Sequence, residues 1–471
     1  MEHGMTLIKT AAAAAISLAL LSGCNDETTN HYYPVDPAPE TQADHVRIGA
    51  YNLSFDRQTF AQLAAEMALP KSEQDRLVKG YVNGDLSDAD KAVALKVIQI
   101  RNVAAIIQHQ RPAILMMSEF NNDGTGQDLT ALTDFKANYL AIAQSLNSID
   151  GGELQKPIHF PHMASFATNT GLASGMDLDN DGKTDGPGDA WGFGQYHGQY
   201  AFGLLSRYPI NHEKIRTFQQ FKWKDMPGAT NVAVNCKEGN TAAWCAEPFW
   251  YSDAEWAALP LSSKNHVDVP VTVSLQDKEQ TIHLLMSHPT PPVFDKGDEA
   301  PYNVAKNAAE IGFWVDYIAG KDYMTDDAGG KGGLAPDSQF VVMGDLNADP
   351  ENGDGDLTTI NALLRHNNVN HLVTTGSFAP SSNGAEECLA NGDCKQSLAD
   401  TPYPRLITST FGLRVDHVVP SAGLHTIDAG VFWPASNEAG YLLMNDKRVG
   451  KYGNGKDISS DHRMVWIDIE L

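Results

Sequence analysis

With 471 residues, 42% of them apolar and 20% charged, the chain has the composition of a soluble globular protein and the length to bury a large core. Lys+Arg 34 against Asp+Glu 59 leave a formal net charge of −25. Such a surface repels polyanions and argues against a tight, sequence-blind grip on long nucleic acid, whereas its acidic clusters suit divalent cations.

At the N-terminus, Lys9 precedes an apolar run at 10–20 that is short for a bilayer span and shaped like a signal-peptide core. It runs into Leu21-Ser22-Gly23-Cys24, which resembles the lipobox of bacterial lipoproteins; an ordinary secretory signal or a short membrane anchor is the alternative. The resemblance implies a signal peptide at 1–23, lipidation of Cys24 and, with Asn25 next, an exported protein anchored by its lipid at the outer membrane, or else periplasmic or extracellular. Residues 24–44 are polar and Pro-containing, a flexible tether. Four cysteines remain. The close spacing of Cys236 to Cys245 and of Cys388 to Cys394 points to two local disulfides in an oxidising compartment. Three pairings are open, with free thiols or a metal site as alternatives.

The folded part opens at 46–53, an apolar strand with Asn52 near its end. Between 58 and 110 the period turns helical: Val93, Val97, Ile100, Val103 and Ile107 form a stripe that Pro112 ends. A short buried strand at 113–117 then delivers Glu119. Strand, helix, strand argues an α/β or α+β fold. Asp177, Asp179, Asp181 and Asp185, with Gly182 at the sixth position, match a Ca²⁺-wrapping loop, although Gly188 stands where the bidentate acid belongs and Asp189 comes one later. An unliganded acidic turn is the alternative. A strand at 201–210 has Arg207 at its exit. Residues 222–265, with four tryptophans around Cys236 and Cys245, read as an insertion that lines a substrate cleft.

Residues 267–275 and 281–286 form a hairpin that ends in Ser287-His288-Pro289, where the prolines that follow hold the histidine. A helix at 305–318 leads to the strand 340–343. Gly344 ends that strand, and Asp345 and Asn347 follow on one side of an extended backbone; a plain Asx turn is the alternative. Asp416 and His417 lie in another strand, and Asp461 and His462 precede a last one from Met464. One domain over 45–471 accommodates all of this.

Strand-end acids, amides and histidines in this number have the composition of a Mg²⁺-assisted phosphoester hydrolase. The motifs Ala50-Tyr51-Asn52, Ser118-Glu119-Phe120, Ser206-Arg207-Tyr208, Ser287-His288, Gly344-Asp345-Leu346-Asn347, Arg414-Val415-Asp416-His417 and Ser460-Asp461-His462 stand in the order of the endonuclease/exonuclease/phosphatase superfamily, which the chain resembles over 46–471. The resemblance implies an α/β (α+β) fold of two packed mixed β-sheets flanked by helices, a four-layer sandwich with loop insertions. It further implies that Asn52, Glu119 and Asp461 gather Mg²⁺ or Mn²⁺, and that Asp345 orients the attacking water. Asn347 would hold a phosphate oxygen or the ion, and Arg207 would contact a phosphate oxygen. His462, steadied by Asp416, would meet the scissile phosphate, and His288 would support the leaving group. Ser118 stands where the family commonly has Gln. A small-molecule or lipid phosphoester is the expected substrate; an extracellular nuclease on DNA and a catalytically inactive binding module are the alternatives. No protein partner is inferred.

Overall fold

Ten almost wholly buried residues form the central strand β1 (Val46–Phe55). The structure, a computed structural model, describes residues 44–451 and 455–471, so the signal segment, Cys24 and the tether up to residue 43 lie outside the described residues. After β1 come α1 (Phe60–Met67), α2 (Lys71–Asn83), α3 (Asp88–Gln110), β2 (Ile114–Phe120), α4 (Thr130–Phe135), β3 (His162–Ser165), β4 (Gly203–Ser206) and β5 (Arg216–Thr217). Then follow α5 (Asp253–Ala258), β6 (His266–Leu275), β7 (Lys278–Ser287), α6 (Tyr302–Ile318), β8 (Gln339–Asp345), α7 (Leu357–Leu364), α8 (His371–Thr374) and α9 (Asn383–Ala390). Strands β9 (Asp416–Pro420), β10 (His425–Val431) and β11 (Val465–Glu470) complete the chain.

The strands make two mixed sheets, β10-β11-β1-β2-β4-β3 and β5-β6-β7-β8-β9. In each, the site-bearing centre is a parallel pair: β1 with β2, and β7 with β8. The sheets face each other, and period-two alternation divides their side chains between layers. In β8, Val341 and Met343 join the core between the sheets, whereas Phe340 and Val342 join a second core under α6 with Phe313, Trp314 and Tyr317. Helix α3 covers the other sheet. It starts at Ser87, whose Oγ accepts the Asp90 N–H, and buries Val97, Ile100, Val103 and Ile107; Arg111 in a left-handed conformation and Pro112 end it. Helix, sheet, sheet, helix is the expected four-layer sandwich.

Residues 222–265 depart from expectation. Trp223 and Trp250 are buried in the core under α6, and the Trp250 ring stacks on Tyr302 at 4.4 Å. Trp244 and Trp256 pack against the same core, so these tryptophans serve packing, and the end of the segment, at 262–265, reaches the site. The cysteines pair as Cys236–Cys245 and Cys388–Cys394. Among the described residues no helix is long and apolar enough to cross a membrane.

Candidate active site

Strand register brings the predicted groups to one end of both sheets. On the first sheet Asn52 pairs with Ser118, which sets Glu119 beside it. On the second, Met286 pairs with Met343 and Asp345 pairs with Asp416, so His288, Asp345 and Asp416 emerge together. Asp345 continues the odd-numbered face of β8 and points between the sheets, where one oxygen, Oδ2, becomes the hub. It accepts Asn52 Nδ2 at 3.0 Å and faces His288 Nε2 at 3.4 Å and His462 Nε2 at 3.7 Å. Its Oδ1 accepts the Asn347 N–H at 2.9 Å. Asn347 Nδ2 in turn donates to Pro289 O at 3.2 Å.

His462 donates from Nδ1 to Asp416 Oδ2 at 2.9 Å, and Thr408 Oγ1 donates to the same oxygen at 2.8 Å. The second amide hydrogen of Asn52 reaches Glu119 Oε1 at 3.2 Å, while Glu119 Oε2 is sealed from solvent with no partner among the described residues. Asp461 accepts Ser54 Oγ on Oδ1 at 2.6 Å and faces Lys456 Nζ across 3.9 Å with Oδ2. Ser54, Glu119 and Asn347 all take left-handed backbone conformations (φ 53°, 55° and 53°), the clustering of strain expected where side chains are aimed and not merely packed.

The charges of these groups are strongly interdependent. Burial works to raise Asp345, but His462, His288 and Asn52 hold it well below the usual carboxylate range. Burial raises Asp416 to about 6 against the pull of His462. His462 is raised to about 10: burial opposes its charge, and Asp416 and Asp345 more than compensate. Burial pushes Glu119 up to about 7, with Lys456 opposing and Asp56 and Asp461 adding to the rise. A carboxylate so costly to ionise, with an orphaned oxygen beside a second acid and an amide, fits a hard divalent cation.

Arg207 is not brought to the site. β4 runs antiparallel to β2 with Ser206 opposite Ile114 and Gly203 opposite Met117. The exit of β4 therefore lies at the far end of the sheet from Glu119, where the backbone N–H of Arg207 donates to Ala113 O. Cations at the reactive end include Lys264 and Lys456, which sequence reading missed. Buried Lys264 donates to Pro289 O at 3.4 Å, the carbonyl that Asn347 also uses; burial lowers its pKa, with Glu310, Asp345 and Glu119 opposing.

Helix α6, legible only as amphipathic, braces three loops of the site. Its Glu310 accepts Ser263 N–H at 2.7 Å and Thr290 N–H at 2.6 Å, and Asn307 Nδ2 donates to Thr290 O and Leu346 O. Fully buried Arg463 binds the carbonyls of Ser460 and His462 from Nη1 and fixes the loop between them. The motif around Asp461 signalled that loop but not its brace.

Elsewhere, the acidic loop converges differently from its sequence pattern. Asp177 and Asp179 meet Asp189, whereas Asp181 bonds Lys183 and Asp185 stays outside the group. Asp189 is buried and accepts Leu178 N–H and Gly186 N–H, so the acid one place beyond the expected position closes the loop. His417, beside Asp416, points away and bonds Ala348 O as a packed histidine.

A model of the Endonuclease/Exonuclease/phosphatase family matches residues 82–462. No curated protein matches the chain. Solved structures similar to it include a family protein from Leptotrichia buccalis, at 11% identity and TM-score 0.39 over 90% of this chain and 100% of its own. Another, from Bacteroides vulgatus, is at 12% identity and TM-score 0.37 over 91% and 99%. The beta toxin of Staphylococcus aureus with bound magnesium ions is at 10% identity and TM-score 0.37 over 91% and 100%.

Proposed function

The chain belongs to the endonuclease/exonuclease/phosphatase family, and on that premise we propose that it is a divalent-metal-dependent phosphoester hydrolase acting outside the cytoplasm on small or lipid phosphoesters. Members of the family are metal-dependent hydrolases of phosphoesters. What carries the reading for this chain is the convergence of Asn52, His288 and His462, from three separate segments, on the single Asp345 carboxylate.

Glu119, Asp461 and Asn52 would hold Mg²⁺ or Mn²⁺, and the ion supplies charge neutralisation on the phosphate and the departing oxygen. Asp345, kept ionised by its neighbours, orients a water toward phosphorus. As the water oxygen bonds to phosphorus, Asp345 takes the proton the water loses and the ester P–O bond breaks; His288, whose Nε2 faces Asp345 Oδ2 across 3.4 Å, hands a proton on to the departing alcohol. His462, fixed through Nδ1 by Asp416, presents Nε2 to a phosphate oxygen, and Asn347 contacts another. Lys264 takes the phosphate-facing role that sequence reading gave to Arg207. The acidic surface supports a small or lipid ester over long DNA.

A Mg²⁺-dependent hydrolysis panel tests this reading: bis-p-nitrophenyl phosphate, p-nitrophenyl phosphate and sphingomyelin beside plasmid DNA. Turnover of the small or lipid esters is expected. Cleavage of DNA alone would move the protein to the nucleases, and silence throughout would make it a binding module. EDTA is expected to stop turnover, and Mg²⁺ or Mn²⁺ to restore it; activity that survives EDTA would remove the metal from the reading. In the same samples Ca²⁺ is expected to raise the melting temperature through Asp177, Asp179 and Asp189, and no shift would take that loop off the metal list.

The site of action rests on the Leu21-Ser22-Gly23-Cys24 pattern. Cys24→Ser is expected to shift the protein from the membrane fraction to the soluble fraction on cell lysis and sedimentation. Unchanged sedimentation would refute the lipid anchor.

A further inference from the structure

A cleft of about 520 Å³ opens among the loop after β8, the end of α7 and the segment that leads into β9. None of Asn52, Glu119, His288, Asp345, Asn347, Asp416, Asp461 and His462 lines it, although Asp349 and Arg414 border it, two residues beyond Asn347 and two before Asp416. Its distinguishing feature is cationic. Of the chain's twelve arginines, Arg47, Arg57, Arg76, Arg101, Arg216 and Arg448 each hold a carboxylate. Arg365, Arg405 and Arg414 hold none within 4.0 Å among the described residues, and all three line this cleft.

Each spends one N–H on a neutral acceptor: Arg365 on Asn361 Oδ1 at 3.1 Å, Arg405 on Asn383 Oδ1 at 2.6 Å and Arg414 on Thr374 O at 2.8 Å. Arg414 is only 8% exposed. A buried guanidinium without an ion partner is costly, and two further like charges around the same cavity add to the cost. Asp349 and Glu351 relieve it in part by Coulombic attraction to Arg414, but neither forms an ion pair with it. Asp349 gives its oxygens to the N–H groups of Glu351, Asn352 and Arg414, while Glu351 and Glu386 are exposed. In a chain of net charge −25, three guanidinia without an ion pair, one at the end of α7 and two in the segment that leads into β9, amount to a built anion site.

We propose that this cleft binds a phosphate group, through Arg414 at its floor and Arg365 and Arg405 at its rim. Guanidinium forks match tetrahedral oxyanions, and each charge-assisted bond gains where water is partly excluded. The phosphate has two sources: a second phosphate on the substrate, which rests on the hydrolase reading, or free inorganic phosphate, which does not.

Calorimetric titration of inorganic phosphate into the Mg²⁺-loaded full chain is the test, with Arg365→Gln/Arg405→Gln and Asp345→Asn as variants. Both arginines are exposed, so the double variant is expected to fold normally. The dissociation constant is expected to rise roughly tenfold or more in the double variant, the loss of about one charge-assisted bond, and to stay unchanged in Asp345→Asn. Binding lost only in Asp345→Asn, or equal in all three proteins, overturns the proposal. The source is read from kinetics on a bisphosphate ester and on bis-p-nitrophenyl phosphate. A raised KM for the bisphosphate alone in the double variant means that the cleft reads the substrate's second phosphate. Weakened phosphate binding with both KM values unchanged means that it takes free phosphate.

Discussion

Asp345→Asn is expected to lower kcat/KM by roughly 10³-fold or more and to leave a cooperative melt in place. The change is isosteric, but both carboxylate oxygens act as acceptors: Oδ1 for the Asn347 N–H, and Oδ2 for Asn52 Nδ2 with His288 and His462 nearby. An amide offers one acceptor, so its NH₂ must face a donor on one side or the other. Either orientation breaks the hub and removes the negative charge that aligns a water. Stability suffers less than activity. The lost bond costs about 1–3 kcal/mol, and relief from burying a charge offsets part of it. Kinetics and circular dichroism on the same sample separate the two effects. Arg207→Ala supplies the contrast: at the far end of β4, its removal is expected to leave the rate within about twofold, as for surface changes away from the site. An active Asp345→Asn would remove that residue from the reaction; a dead Arg207→Ala with intact folding would overturn the assignment drawn from strand register.

Why the sequence misplaces Arg207 and places its companions well is a matter of strand direction. Asn52, Glu119, His288 and Asp345 each follow an apolar run, and their strands are pairwise parallel, β1 with β2 and β7 with β8, so one rule, the group after the strand, lands all four at the same end. Arg207 also follows an apolar run, but β4 is antiparallel to β2, and the same rule sends it to the opposite end. Nothing local in 201–210 reveals that direction. Lys264 reaches the site for the complementary reason: it precedes β6, which runs antiparallel to β7, with His266 opposite Ser287. A reading that looked only after strands passed over it. The braces from Glu310, Asn307 and Arg463 were illegible for another reason. Those from Glu310 and Asn307 cross long stretches of chain and that from Arg463 reaches only its own loop, but all end on backbone N–H or C=O groups, which leave no mark in the sequence. The tryptophans of 222–265 show the limit of composition: aromatic richness marks packing and binding alike, and here the rings serve the core. The two disulfides were legible from the close spacing of their cysteines, whereas the four-layer order followed from the family resemblance and not from spacing or period.

Gly344→Ala is expected to cost about 3 kcal/mol of stability and to disable the site in whatever fraction stays folded. Gly344 has φ +143°, a backbone conformation that side-chain-bearing residues rarely adopt, and a Cβ there would lie 2.1 Å from Ser287 O and 3.1 Å from Met116 Cε. The backbone contact with Ser287 O is the one that cannot yield cheaply. Ser287 ends β7 in the ladder that carries His288, its Oγ accepts Trp314 Nε1 at 2.8 Å, and Met116 is buried between the sheets. The strain must therefore part β8 from β7 at the point where Asp345 and His288 face each other across 3.4 Å. Gly84→Ala separates backbone cost from collision. Gly84 also has positive φ, +76°, but a Cβ added there meets nothing within 4 Å, so about 1 kcal/mol is expected from conformation alone. Urea unfolding of the two variants, with the slope checked for constancy, gives the comparison. A Gly344→Ala loss well above that of Gly84→Ala, together with lost turnover, would show that the close approach of β7 and β8 holds the catalytic pair in register. Equal losses with turnover retained would mean that the pair is held from elsewhere, by Asn52 across the sheets and by the braces from α6.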